Sequence, residues 1–157
     1  MRISIICVGR ARKGPDRELF ESFKSRIAWP ITLHEVEVAR PLPTPDKVRR
    51  EGELLLSRIP KGAVTITLDG RGKPLTSEDF AARLGRWRDD GIKDIAFLIG
   101  GADGLHSAVI ESAGLILSLG PMTWPHLLVR GMLCEQIYRA EQILKGHPYH
   151  RAGPPPA

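Results

Sequence analysis

The chain has 157 residues and 17.4 kDa, the size of one domain, and at 42% hydrophobic residues it is neither disordered nor low in complexity. Its longest early apolar stretch, Ile3 to Val8 with Ser4 inside it, is too short for a membrane span or a signal peptide, and two cysteines, Cys7 and Cys134, cannot make a disulfide framework. The net charge of +5 is uneven: Arg2, Arg10, Arg12, Lys13, Arg17, Lys24 and Arg26 crowd the first 28 residues, whereas Asp94 to Val129 holds no Lys or Arg, so one region can meet a polyanion and another is reserved for core, ligand or partner.

Along the chain the periods alternate between strand and helix. Arg2 to Val8 is an apolar strand, and Gly9 to Pro15 a basic loop. Asp16 to Trp29 reads as a helix with Leu19, Phe20, Phe23 and Ile27 on one face. Ile31 to Ala39 alternates Leu33, Val36 and Val38 with polar residues, a strand with room for a bulge. Arg40 to Pro45 is a proline-rich loop. Asp46 to Ile59 is a second helix and Ala63 to Leu68 a strand. Asp69 to Pro74 reads as a tight glycine-rich loop. Thr76, with Asp79 three residues on, caps a helix through Trp87. Asp94 to Ile99 is a strand apolar enough to be central. Gly100 to Gly104 is a second glycine loop, Ser107 to Ala113 a short helix, Leu115 to Leu119 a last strand and Gly120 to Pro125 a last loop. His126 to Lys145 is the longest helix, stopped by Gly146.

This order predicts an α/β fold, a single domain over residues 1–151, with a mainly parallel sheet covered by helices on both faces. Residues 152–157, Ala-Gly-Pro-Pro-Pro-Ala, are expected to be a disordered tail. Ligands of such sheets bind beyond the carboxyl ends of the strands, where the loops 69–74, 100–104 and 120–125 all lie. None is G-x-G-x-x-G or a P-loop, and basic residues are scarce around them, so a neutral or zwitterionic ligand fits better than a triphosphate. Leu127, Leu128, Val129, Met132, Leu133 and Cys134 make the start of the last helix apolar all round. Such a helix needs cover on both sides, and a second copy of the chain, a homodimer, is the simplest cover. Of five histidines, only His147 and His150 are close, without further ligands, so no metal is expected. Glu135 and Arg139 stand one helical turn apart, the spacing of an ion pair. Tyr149, His150 and Arg151 combine a stacking ring, a titratable imidazole and a guanidinium, a set suited to a nucleic-acid base and its phosphate.

The blocks Leu68-Asp-Gly-Arg-Gly-Lys-Pro, Leu98-Ile-Gly-Gly-Ala-Asp-Gly-Leu, Met122-Thr-Trp-Pro-His, Tyr138-Arg and His147-Pro-Tyr-His-Arg, in this order and spacing, closely resemble the ribosomal RNA large subunit methyltransferase H family of the SPOUT class. The resemblance runs from the first strand to Arg151. It implies transfer of a methyl group from S-adenosylmethionine to N3 of a pseudouridine in 23S ribosomal RNA on the assembled ribosome. It also implies a homodimer, a cytoplasmic location without membrane or DNA partners, and a C-terminal trefoil knot, which connection rules alone would not suggest. By the same resemblance, the cofactor site comprises Leu68, Gly100, Leu119, Gly120, Pro121, Met122, Thr123 and Trp124. The catalytic set comprises Glu135, Arg139, Tyr149, His150 and Arg151, with His150 the natural proton acceptor by its ordinary pKa. Trp124 departs from the smaller residue common at its position, and the chain continues past Arg151, where the family normally stops. Two other classes stay open on sequence grounds, a ribosome-binding factor without chemistry and a doubly wound nucleotide-binding enzyme.

Overall fold

The computed structural model describes residues 1–154. Strands and helices alternate without exception: β1 (Arg2–Val8), α1 (Pro15–Lys24), β2 (Ile31–Val36), α2 (Thr44–Ser57), β3 (Val64–Pro74), α3 (Ser77–Asp89), β4 (Asp94–Ile99), α4 (Ser107–Glu111), β5 (Leu115–Ser118) and α5 (His126–Lys145). The strands form one sheet in the order β2-β1-β4-β3-β5, every neighbouring pair parallel, with the apolar β4 in the centre as its composition predicts.

The period of two sorts side chains onto two cores. Ile3, Ile5 and Cys7 of β1 and Ile95, Phe97 and Ile99 of β4 face Phe20 of α1, Phe80 and Leu84 of α3, and Leu133 and Ile137 of α5. Ile6 and Val8 of β1 with Ala96 and Leu98 of β4 face Leu55 of α2 and Val109 of α4. Three helices thus cover one face and two the other. Both cysteines are buried, and burial pushes each thiol up to about 12. Thr76 caps α3 as expected, its side chain accepting from the Asp79 N–H, and Gly146 ends α5 in the left-handed conformation at φ 69°.

Several boundaries differ from those the periods predict. The first helix stops at Lys24 rather than Trp29, because the buried carboxylate of Glu141 on α5 accepts from the backbone N–H groups of Ala28 and Trp29 at 3.0 and 2.8 Å. β2 stops at Val36 rather than Ala39, since its ladder partner β1 ends at Val8. α2 begins at Thr44, two residues early, with a proline in its first turn where the missing N–H costs nothing. α4 and β5 are each shorter than predicted.

The largest difference concerns residues 69–74. They are not a free loop but the continuation of β3: after Leu68 the strand bulges out and Lys73 and Pro74 rejoin β5, opposite Leu117 and Ser118. Gly72 is required there, because a Cβ would stand 2.6 Å from the Ile116 carbonyl oxygen. Residues 152–154 are exposed and carry no regular structure, and the rest of the expected tail, 155–157, lies outside the described residues.

Candidate active site

The bulge of β3, the loop after β4 and the loop between β5 and α5 enclose a cavity of about 600 Å³ at the carboxyl edge of the sheet. All eight residues assigned to the cofactor by resemblance line it: Leu68, Gly100, Leu119, Gly120, Pro121, Met122, Thr123 and Trp124. Gly70, Gly101, Leu117, His126 and Val129 complete much of the wall, and no Lys or Arg takes part. Gly120 adopts φ 109°, a conformation that an L side chain rarely accepts, and so turns the chain from β5 toward the rim. Ser118 holds that turn by accepting from the Gly120 N–H at 3.2 Å. The Trp124 indole donates to the Leu119 carbonyl at 3.3 Å, which folds the loop over the cavity while Met122 stays 72% exposed at its edge.

Asp69 brings a carboxylate to the cavity lining, and the Arg71 guanidinium pairs with it at 2.8 Å. Hydrogen bonds from Arg71, first its side chain and then its backbone N–H, hold the Asp69 carboxyl below its ordinary range in spite of partial burial. Burial, and then the nearby Arg130, lowers the pKa of His126, so this ring is neutral at pH 7. An ion-paired carboxylate, an imidazole of lowered pKa and apolar walls suit a neutral or zwitterionic ligand and disfavour a phosphate chain.

The end of β1 is tied to α5. Arg130 on α5 is 1% exposed, and its guanidinium donates to the carbonyls of Val8 and Gly9 at 3.0 and 2.8 Å and to Glu35 at 2.6 Å. Glu35 Oε1 also accepts from the Ala11 N–H at 2.8 Å. This pins the base of the loop that displays Arg10, Arg12 and Lys13 to solvent. Sequence reasoning found Arg130 only as a charge on an apolar helix.

A second apolar cleft, also about 600 Å³, opens between α1, α3, α5 and β5 and shares Leu117, Leu119 and Gly120 with the first. Glu135 lies on its wall, and Arg139, Tyr149 and His150 gather behind it. Glu135 Oε1 accepts from Arg139 and from the Tyr149 hydroxyl at 3.0 Å. The Arg139 guanidinium lies 4.8 Å from the centre of the Tyr149 ring, which stands edge-on to Tyr138. Arg139 also reaches His150 Nδ1 at 3.2 Å. Arg151 is exposed, and none of these bonds involves it. Desolvation and the bond to Glu135 raise the Tyr149 pKa, so its phenol stays protonated.

The protein relatives fit this architecture. A family model described as "Predicted SPOUT methyltransferase" matches residues 1–150. The chain belongs to the SPOUT methyltransferases. Within them it is similar to "Ribosomal RNA large subunit methyltransferase H" of Rhodospirillum centenum, 58% identical over 97% of this chain and 100% of that one. The protein of the same name from Paramagnetospirillum magneticum is 54% identical over 96% and 99%. Among solved structures, a probable methyltransferase of Bordetella pertussis Tohama I superposes with a TM-score of 0.55 over 88% of this chain and 95% of that one, at 18% identity, a likeness of fold.

Within this SPOUT domain three further residues join the cluster that the sequence did not single out. Gln136 donates to Glu135 Oε2 at 2.8 Å and accepts from the Ser77 hydroxyl at 2.7 Å. Glu78 Oε1 meets His150 Nε2 at 2.8 Å. Ser77 and Glu78 open α3, where a hydroxyl and an acid already have an explanation in capping and the helix dipole, so their spacing gives no separate signal.

Two contacts set the roles of the His150 ring nitrogens. Arginine can only donate and a carboxylate can only accept, so Nδ1 is the acceptor and Nε2 the donor. Both ring nitrogens are engaged by other side chains of the chain.

Proposed function

We propose that this chain is an S-adenosylmethionine-dependent enzyme that methylates N3 of a pseudouridine in 23S ribosomal RNA on the assembled ribosome. It acts as a cytoplasmic homodimer whose C-terminal chain is threaded as a trefoil knot. The observation that carries the reading is the cavity at the strand ends. It is walled by three glycine- and proline-rich segments, has no cationic side chain in its lining, carries the Asp69 carboxylate paired with Arg71, and shares Leu117, Leu119 and Gly120 with a second cleft on whose wall Glu135 stands. The full-length similarity to ribosomal RNA large subunit methyltransferases H supports the substrate class.

The cavity has room for the cofactor and no cationic side chain in its lining to oppose it. Leu68, Gly100 and residues 119–124 would hold it. When bound, S-adenosylmethionine supplies an activated methyl group on a sulfonium. The apolar walls exclude water, and fixing donor and acceptor in one orientation is worth about 7–11 kcal/mol of the barrier. Tyr149 offers a face for stacking the acceptor base. Arg139 and Arg151 offer positive charge to the base as it loses the N3 proton, or to its phosphates. Glu135 holds Arg139 and the Tyr149 hydroxyl in place.

Calorimetry tests the cofactor directly. S-adenosylmethionine or its demethylated product should bind in the micromolar range, about −8 kcal/mol, and NAD and ATP far more weakly. Gly70 is the position at which to fill the cavity. It lines the space, and a Cβ there meets nothing within 4 Å, whereas at Gly100 a Cβ would strike Leu105 at 2.8 Å and disturb the loop itself. Gly70→Phe should abolish cofactor binding without changing the thermal midpoint. Unchanged affinity in a folded Gly70→Phe protein places the cofactor elsewhere. Cofactor binding without transfer to ribosomes lacking the modification makes the chain a ribosome-binding factor instead.

A further inference from the structure

The imidazole of His150 is only 17% exposed and is gripped from two elements. From α5, an Arg139 N–H reaches Nδ1; from the start of α3, the Glu78 carboxylate meets Nε2. The two partners impose opposite roles on the two nitrogens. We propose that Glu78 is the positioning residue of the C-terminal tail. It holds His150 as the Nε2–H tautomer, keeps the Nδ1 lone pair on Arg139, and so fixes the ring, the guanidinium and the stacked Tyr149 as one unit facing the acceptor base. This rests on the reading that the tail acts on that base.

The chemistry of the alternatives explains why a carboxylate is needed. Neutral imidazole exchanges its proton between two nitrogens readily. With no acceptor at Nε2, the Nδ1–H tautomer becomes accessible and points an N–H at the N–H of Arg139. That contact is repulsive and frees both side chains. An acceptor at Nε2 excludes this state without any contact to substrate. The same end of α3 supports the other arm of the cluster through Ser77, Gln136 and Glu135 Oε2. Helix α3 is therefore the base on which the tail stands, although it contributes nothing to the cofactor cavity. The competing explanation is that Glu78 merely complements the positive end of its own helix. That role would be indifferent to what happens at His150.

The test uses the full chain labelled with nitrogen-15 in histidine, the His150 signals being assigned by their loss in His150→Gln. At about pH 8, above the titration of an ordinary histidine, the wild type should give the Nε2–H pattern. Glu78→Ala should shift the signals toward averaged tautomers and reduce turnover on ribosomes by about tenfold, with S-adenosylmethionine affinity unchanged. Glu78→Gln keeps an oxygen that can accept from Nε2–H, and should retain the wild-type pattern and most of the turnover. An Nδ1–H or averaged His150 in the wild type overturns the proposal. So does a Glu78→Ala protein with wild-type tautomer and turnover, or a Glu78→Gln protein as impaired as Glu78→Ala. If the wild type transfers no methyl group at all, the methyltransferase reading fails, while the tautomer signals of wild type and variants still decide the role of Glu78.

Discussion

Arg130 is a fully buried cation whose three recorded partners all lie on or beside the first two strands. Truncating it would strand two carbonyls and part of a carboxylate in the interior, so Arg130→Met should cost about 3–5 kcal/mol in urea unfolding. A loss under 1 kcal/mol would mean that water replaces the guanidinium without penalty. The pair also has a pH signature. Burial pushes the Glu35 carboxyl up, but the Ala11 N–H and then Arg130 outweigh it, and the net value lies below the ordinary 4.5. A depressed folded pKa contributes stability above the unfolded value and loses it as pH falls through the folded one. Stability should therefore fall below pH 4.5 in the wild type, and less steeply in Arg130→Met. None of this was legible in the sequence, because Glu35 and Arg130 stand 95 residues apart and only the sheet brings them together. The pair Glu135 and Arg139 was legible, since helical spacing alone makes them neighbours.

Elements with a strong internal period were read closely, and elements defined by a remote partner were not. β1, β4 and α5 have the bounds that their patterns predict. The segment 69–74 looked like a loop from its glycines, yet β5 recaptures it as strand, and no local pattern encodes that pairing. The end of α1 was misplaced for the same reason, its competitor being a carboxylate on α5. The tail after α5 combines both cases. Its chemistry was visible as three consecutive residues, but its docking onto α3 was not. Deleting residues 149–157 should abolish methyl transfer while S-adenosylmethionine affinity stays within about threefold, because the cavity wall holds no tail residue. Deleting only 152–157 should leave transfer intact. Loss of cofactor binding in the longer deletion would show that the tail closes the cavity.

For the whole molecule, the uncovered apolar surface has a place. Met132, Leu19 and Phe23 line the cleft between α1, α3 and α5, and Met122 stands exposed on the adjoining loop. The expectation of a second copy follows from the same helix. Light scattering should give about twice 17.4 kDa. A monomer independent of concentration would remove the argument from the last helix. Arg10, Arg12 and Lys13 stand exposed on a loop pinned by Glu35 and Arg130, and under the proposed function they meet ribosomal phosphates. Their triple alanine variant should weaken ribosome binding and lower the salt slope by about one unit per lost contact. Cofactor affinity should not change, and an unaltered slope would mean that the loop never met the RNA.

Helix α5 is synthesised after every strand that it covers. Leu133, Ile137 and Ala140 belong to the same core as Ile5, Phe20 and Phe97, and Glu141 ties down the turn after α1. While these residues are still inside the exit tunnel, a nascent chain holding all five strands has one face of its sheet roofed and the other short of a helix. That open face is a surface for holdase chaperones and a hazard for aggregation. That face of the sheet must therefore wait, unclosed, until the chain has emerged to about Lys145, whereas the face under α2 and α4 needs nothing from α5.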